Sequence, residues 1–215
     1  ACGERLEFQC PRCGKTLPLD AKFCSACGQK LENVSGAEKT LTQIESERRH
    51  VTVLFSDLSR YTAISEKMDL EEIKDLTSRI FGEISKIVTK YDGFIEKYSG
   101  DAVMVLFGVP RAHEDDPIRA IKVARSIHEC VEAMSPEIRK KIGEPISMHS
   151  GINTGLVVTG GVDVERGVHG VAGDTINVAS RLCELAKPGE ILMDADTYRQ
   201  SEGHFTFESF GPTML

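Results

Sequence analysis

From His50 onward the apolar positions switch between a period of two and a period near 3.6, and each switch marks an element. Residues 51–57, VTVLFSD, set Val51, Val53 and Phe55 against Thr52, Leu54 and Ser56, the pattern of a strand with one buried face, and end in Asp57. A helical period follows, with Ile73, Leu76, Ile80, Ile84, Ile87 and Val88 on one face, Asp69 and Glu72 spaced as a capping box, and Asp92-Gly93 as the turn after Tyr91. Two strand-like runs, 94–98 and 102–107, flank Ser99-Gly100 and predict a hairpin with Asp101 just past its turn. Asp116 as cap and Pro117 at the first helical position open the next helix, buried through Ile118, Ile121, Val123, Ala124 and Ile127.

A second hairpin is expected from 146–153 and 155–162. The glycine-rich stretch 167–173 then leads to Asp174, read as the cap of a helix with Ile176, Val178, Ala179, Leu182 and Leu185 on its apolar side. Asn177 and Arg181 are four apart in that helix and share a face. Lys187-Pro188-Gly189 stops it, and a strand at 190–193, a short helix at 196–200 and a final strand at 205–210 complete the pattern. This order of elements predicts an α+β fold in which helices pack on a mainly antiparallel sheet.

No such period runs through the first 47 residues. Cys10-Pro-Arg-Cys13-Gly and Cys24-Ser-Ala-Cys27-Gly form a CxxC…CxxC pair in a segment too short for its own hydrophobic core. Four thiolates at this spacing suit one structural Zn²⁺, whose binding supplies folding energy that the segment lacks. The rival is a pair of disulfides, which a cytoplasmic setting disfavours. Residues 1–7, ACGERLE, repeat as 26–32, ACGQKLE, at an offset of 25. Cys2 therefore reads as the last ligand of a preceding, truncated ribbon, giving a zinc ribbon over 1–33, a polar linker over 34–47 with Leu41 and Ile44 opening a short helix, and a second domain over 48–215. The remaining cysteines, Cys130 and Cys183, lie in helical patterns and read as core.

Composition narrows the function classes. Within 215 residues a formal net charge of −7 excludes a general electrostatic grip on nucleic acid, and the ribbon has no basic and aromatic patch. An anionic substrate would need local cations or a metal. No apolar run approaches the roughly 18 to 20 residues of a membrane span, and the polar start is no signal peptide, so the expected setting is soluble and cytoplasmic. If the strands ending in Asp57 and beginning after Asp101 are neighbours, the two carboxylates converge on a hard-oxygen site of the kind Mg²⁺ prefers when it carries phosphates; otherwise both are ordinary turn aspartates.

Four signatures in order, VTVLFSDLSRYT, GFIEKYSGDAVMVLFG, GINTG and GDTINVASRLCELAKPGEI, make the region from Arg48 to Pro212 resemble the class III nucleotide cyclases. The resemblance implies a ferredoxin-like catalytic domain and a head-to-tail homodimer with ATP between the two copies. It makes Asp57 and Asp101 the ligands of two Mg²⁺ or Mn²⁺ ions, with the backbone carbonyl of Leu58 as a further ligand. It makes Lys97 the reader of adenine, where guanylate cyclases place Glu, and Gly170 the second purine-reading position, where adenylate cyclases usually have Asp or Thr. Asn177 and Arg181 become the partner subunit's contribution to the ribose and to the phosphoryl transition state. Arg60 stands where glycine is common, close to the phosphate-binding turn, and the family's domain continues past the FxxxG of 207–211 into a further strand preceded by a lysine. Zinc ribbons ahead of such a domain resemble bacterial multidomain cyclases, which implies further domains beyond Leu215.

The expected activity is that of an adenylate cyclase, ATP to 3′,5′-cyclic AMP and pyrophosphate, in intracellular signalling. The alternative is a degenerate cyclase-like domain that binds nucleotide or only dimerises. Guanylate cyclase is disfavoured by Lys97, and diguanylate cyclases share the hairpin but not GDTINVASRL.

Overall fold

A computed structural model of the chain describes residues 7–10, 12–18, 23–29, 47–160, 170–209 and 211. Expectations that fall on Cys2, Leu41 and Ile44 lie outside these. The chain divides into two units, Ala1–Glu45 and Ser46–Leu215.

In the first unit β1 (Glu7–Gln9) and β2 (Thr16–Pro18) pair antiparallel. Each CxxC half builds the same turn. Gly14 N donates to Cys10 O and Gly28 N to Cys24 O, both at 2.9 Å, with the two glycines at φ 70° and 69°. That left-handed conformation is why glycine follows the second cysteine in both halves.

The second unit is built on β3 (Glu47–Leu58), whose apolar residues face both ways because helices cover both sides of the sheet. After it come α1 (Tyr61–Ser65), α2 (Leu70–Lys90), the hairpin β4 (Phe94–Ser99) and β5 (Ala102–Phe107), α3 (Asp116–Ile142), β6 (Met148–Thr159), β7 (Val171–Ala172), α4 (Asp174–Leu185), β8 (Ile191–Met193) and α5 (Ala195–Ser201). The sheet order is β4-β5-β3-β6-β7, antiparallel throughout, with β8 added parallel to β6. On one face Leu54, Val103, Val105 and Ile152 pack with Ile80 and Ile84 of α2 and Ala124 and Ile127 of α3. On the other, Val51, Val53, Met104, Leu106 and Val157 pack with Ala179 of α4. Among the described residues no helix is long and apolar enough to cross a membrane.

Three expectations are corrected. The second hairpin does not form: 148–159 is a single strand running beside the whole of β3, from Glu47↔Thr159 to Leu58↔Met148. Its glycines are there for α4. A Cβ on Gly151 would collide with backbone of Ala179, Leu182 and Cys183, and one on Gly155 would stand 2.8 Å from Thr175 Oγ1, so these positions admit the close approach of a helix rather than a turn. The final strand is also absent. Phe205 makes only an isolated bridge to Glu202, residues 206–209 have no regular structure, and Phe210 lies outside the described residues. The alternation of Phe205 and Phe207 serves side-chain packing instead, their rings 6.0 Å apart and Phe207 edge-on to Tyr198 of α5 at 5.2 Å.

The third correction concerns caps. Asp69 holds the cap position of α2 without a side-chain cap bond, and Glu72 takes Lys141 of α3 at 3.0 Å rather than closing a capping box. Asp116 and Asp174 are the first residues of their helices, with Asp115 and Gly173 in the cap positions. Asp116 instead accepts from the His113 amide at 2.9 Å.

Candidate active site

Period two sends Val53, Phe55 and Asp57 of β3 to the face covered by α4. Asp57 pairs with Ala102 on β5, and Asp101 immediately precedes Ala102, so the hairpin turn brings its carboxylate beside that of Asp57. Asp57 Oδ1 is buried and has no hydrogen-bond partner among the described residues. Burial, and then the charge of Asp101, push the Asp57 carboxyl above the ordinary carboxylate value, against the opposing pull of His149 and the Leu58 amide. A buried, unpaired carboxylate oxygen next to a second carboxylate is unfavourable by itself and is relieved by a hard cation, so the residues present fit a divalent metal. Leu58 is buried at the end of the strand between Asp57 and Ser59.

Lys97 reaches the same face through an irregularity. The β4–β5 register runs Phe94↔Leu106 and Ile95↔Val105, then skips Glu96 and resumes at Lys97↔Met104. Glu96 is thus the extra residue of a β-bulge. Were Glu96 paired with Met104, strict alternation would put Lys97 opposite Val103, on the α2 and α3 face; with Glu96 bulged out, Lys97 joins Met104, Phe55 and Asp57. Tyr98 then faces α2 and packs on Phe81, the two rings tilted by 52° with centroids 4.7 Å apart.

Sequence reasoning missed His149. In β6 it is the register partner of Asp57, with Nε2 3.9 Å from Asp57 Oδ2 and Nδ1 2.9 Å from Ser59 Oγ. The signal that would have found it is that 148–159 is one strand antiparallel to β3. On the opposite face the neighbours Ser56 and Ser150 join hydroxyls at 2.6 Å, and His128 Nε2 of α3 contacts Ser150 Oγ at 2.8 Å. Burial holds the His128 imidazole down to about 4, over the opposing pull of the Gly189 backbone and with a further push from His149.

Asn177 and Arg181 are exposed on α4, and among the described residues neither has a hydrogen-bond or ion-pair partner. Gly170 is exposed at φ 55° with open space around its Cα, and its carbonyl accepts from the Gly160 amide at 3.0 Å. Arg60 takes the left-handed conformation, φ 64°, before α1, and its guanidinium lies 3.4 Å from Glu144, which Lys67 also approaches at 2.7 Å. A cavity of about 1010 Å³ between α3, β8, α5 and the segment after Phe205 contains none of these residues.

In the ribbon, the ligand atoms of Cys10, Cys13, Cys24 and Cys27 all lie within 4.8 Å of one another. Cys10 Sγ is 3.8 Å from Cys27 Sγ, and Cys13 Sγ is 3.5 Å from Cys24 Sγ. These exceed a disulfide bond and match the edge of about 3.8 Å expected for sulfurs about 2.3 Å from a tetrahedral Zn²⁺. The backbone amides of Ala26 and Cys27 hold the Cys24 thiol down to about 6, whereas, against the pull of the Lys15 amide, the Cys24 and Cys27 sulfurs push the Cys13 thiol up to about 12.

Comparison with known proteins follows the same division. The family described as the adenylate and guanylate cyclase catalytic domain matches residues 44–215, and the zinc-ribbon domain matches residues 9–31. Uncharacterized protein Rv1319c of Mycobacterium tuberculosis is 30% identical over 187 residues, 85% of this chain and 34% of its own length. Uncharacterized protein Mb1354c of Mycobacterium bovis is 33% identical over 189 residues, 85% of this chain and 32% of its own. The chain therefore spans about a third of the length of these curated relatives. Among solved structures, the adenylyl cyclase CyaB from P. aeruginosa superposes with a TM-score of 0.69 at 33% identity, covering 74% of this chain and 83% of that one. The guanylyl cyclase Cya2 superposes at 0.70 with 28% identity, covering 79% and 88%.

Proposed function

Since the chain belongs to the adenylate and guanylate cyclase catalytic domain family, with a zinc-ribbon domain ahead of the catalytic one, we propose that it is an adenylate cyclase, forming 3′,5′-cyclic AMP and pyrophosphate from ATP between two head-to-tail copies. The observation that carries the choice of base is Lys97, a cation brought by the Glu96 bulge to the same sheet face as Asp57. A lysine ammonium donates only, and so suits an acceptor nitrogen on the edge of adenine. Gly170 has no side chain with which to read the base, so selectivity rests on Lys97, backbone atoms and shape.

Asp57, Asp101 and the Leu58 carbonyl hold two Mg²⁺ or Mn²⁺ ions in this reading. When bound, such ions acidify the attacking 3′-hydroxyl and neutralise charge on the phosphoryl and leaving oxygens. The hairpin and the end of β3 keep the two carboxylates in a fixed relation on a rigid sheet. Arg181 of α4 offers a fork of donors to charge building on the phosphoryl oxygens, and Asn177, one turn earlier, orients the ribose. Both side chains are exposed and project from α4, which suits service to the site of a second copy. Cys10, Cys13, Cys24 and Cys27 hold one structural Zn²⁺ per chain.

A second reading, a domain that binds nucleotide or dimerises without turnover, is favoured by Gly170 and by the bulky Arg60 beside the metal strand. Incubation with ATP and GTP in parallel, with Mn²⁺, decides among the readings by product. Cyclic AMP in excess is expected. Cyclic GMP in excess would reverse the base assignment, and nucleotide binding without cyclic product would select the second reading.

A further inference from the structure

Asp57, in the last pleat of β3, and Ser59, the first residue after that strand, flank Leu58. A single imidazole spans the pair. His149 Nδ1 lies 2.9 Å from Ser59 Oγ and His149 Nε2 lies 3.9 Å from Asp57 Oδ2. The Ser59 amide is fixed independently, donating to Ser147 O at 2.9 Å. His149 is held from behind by α4, where the Cys183 thiol donates to its carbonyl at 3.6 Å. With the Ser59 hydroxyl donating to Nδ1, the ring proton sits on Nε2 and faces the carboxylate. At that separation Nε2 makes no direct hydrogen bond, so it attracts the carboxylate without occupying the lone pairs that a metal would use.

We propose that His149 is a positioning residue for the metal site, bracing the Asp57-Leu58-Ser59 segment so that the Asp57 carboxylate and the Leu58 carbonyl are presented together. The identity of those two ligands rests on the cyclase reading above; the brace is a property of this chain's own residues. Loss of an outer partner of a metal ligand typically costs about 10- to 100-fold in metal affinity.

Mn²⁺ binding to the full chain, followed by the loss of the free-ion EPR signal without nucleotide, tests the brace separately from turnover. His149→Ala and Ser59→Ala are each expected to weaken Mn²⁺ binding about 10-fold, and the double variant no more than the stronger single one, because the two act as one unit. His149→Asn, which keeps an amide nitrogen near the place of Nδ1, should recover part of the affinity and carries the test should His149→Ala fail to fold. Unchanged Mn²⁺ affinity in a folded His149 variant, or additive losses in the double variant, would overturn the brace alone. A wild-type chain that binds no Mn²⁺ would overturn the metal assignment and the brace with it.

Discussion

Gly151 of β6 and Cys183 of α4 leave no room for a side chain between them: a Cβ on Gly151 would fall inside contact distance of the Cys183 amide nitrogen and the Ala179 carbonyl oxygen. Both neighbours are helix backbone and cannot swing aside. Gly151→Ala is therefore expected to lift α4 from the sheet and destabilise the catalytic unit by about 1–3 kcal/mol, the range for overpacking. Gly82 in α2 is the matched control, since nothing lies within 4 Å of its added Cβ. Gly82→Ala should raise stability by up to about 1 kcal/mol. Urea unfolding of the two variants checks both signs, and equal stability would contradict the seating of α4.

His128 should make the fold acid-sensitive. Its imidazole is held at about 4 in the folded chain and returns to about 6.5 when unfolded. Between those values the unfolded state binds the extra proton, so stability falls as the pH drops through that window. The loss between pH 7 and pH 5 is about 2 kcal/mol. His128→Gln, which cannot titrate, should flatten this part of the profile relative to wild type in urea melts at pH 7, 6 and 5.

Metal analysis of the purified chain should return one zinc per molecule, and Cys10→Ser or Cys24→Ser should abolish it. Two zincs per chain would refute the reading of Cys2 as an orphan ligand. Because the cysteines belong to a unit separate from the sheet, chelation is expected to leave the thermal midpoint of the catalytic unit in place.

A site shared between two copies, as proposed, makes a prediction that neither variant can satisfy alone. Asp57→Ala and Arg181→Ala should each be inactive as homodimers, losing on the order of a hundredfold or more in rate. Mixed, they should regain activity, since a heterodimer carries one intact site. Failure to complement while heterodimers form would place Arg181 outside the partner's site.

Most of the framework was legible in the sequence because it is written in period. The alternation in β3, the apolar stripe of α2 and the paired runs of β4 and β5 each name their element without reference to another. What was not legible depends on two segments at once. Gly155 looks the same in a turn and beneath a helix, so the pattern alone divides one long β6 in two. Phe205 and Phe207 alternate equally well for a strand and for packing on Tyr198. His149 has no local signature at all, and its relation to Asp57 exists only in the register of β6 against β3. The nearness of Asp57 to Asp101 is legible because one ends a run and the other immediately precedes one, and each run identifies itself.

The bulge at Glu96 turns a matter of chemistry into one of counting. Lys97 shares a sheet face with Asp57 because one residue of β4 has no counterpart on β5. Pairing Glu96 with Met104 would carry Lys97 to the α2 and α3 face without changing an atom of the lysine, whereas deleting Glu96 would leave Lys97 opposite Met104. In this hairpin one unpaired residue decides which face of the sheet Lys97 occupies.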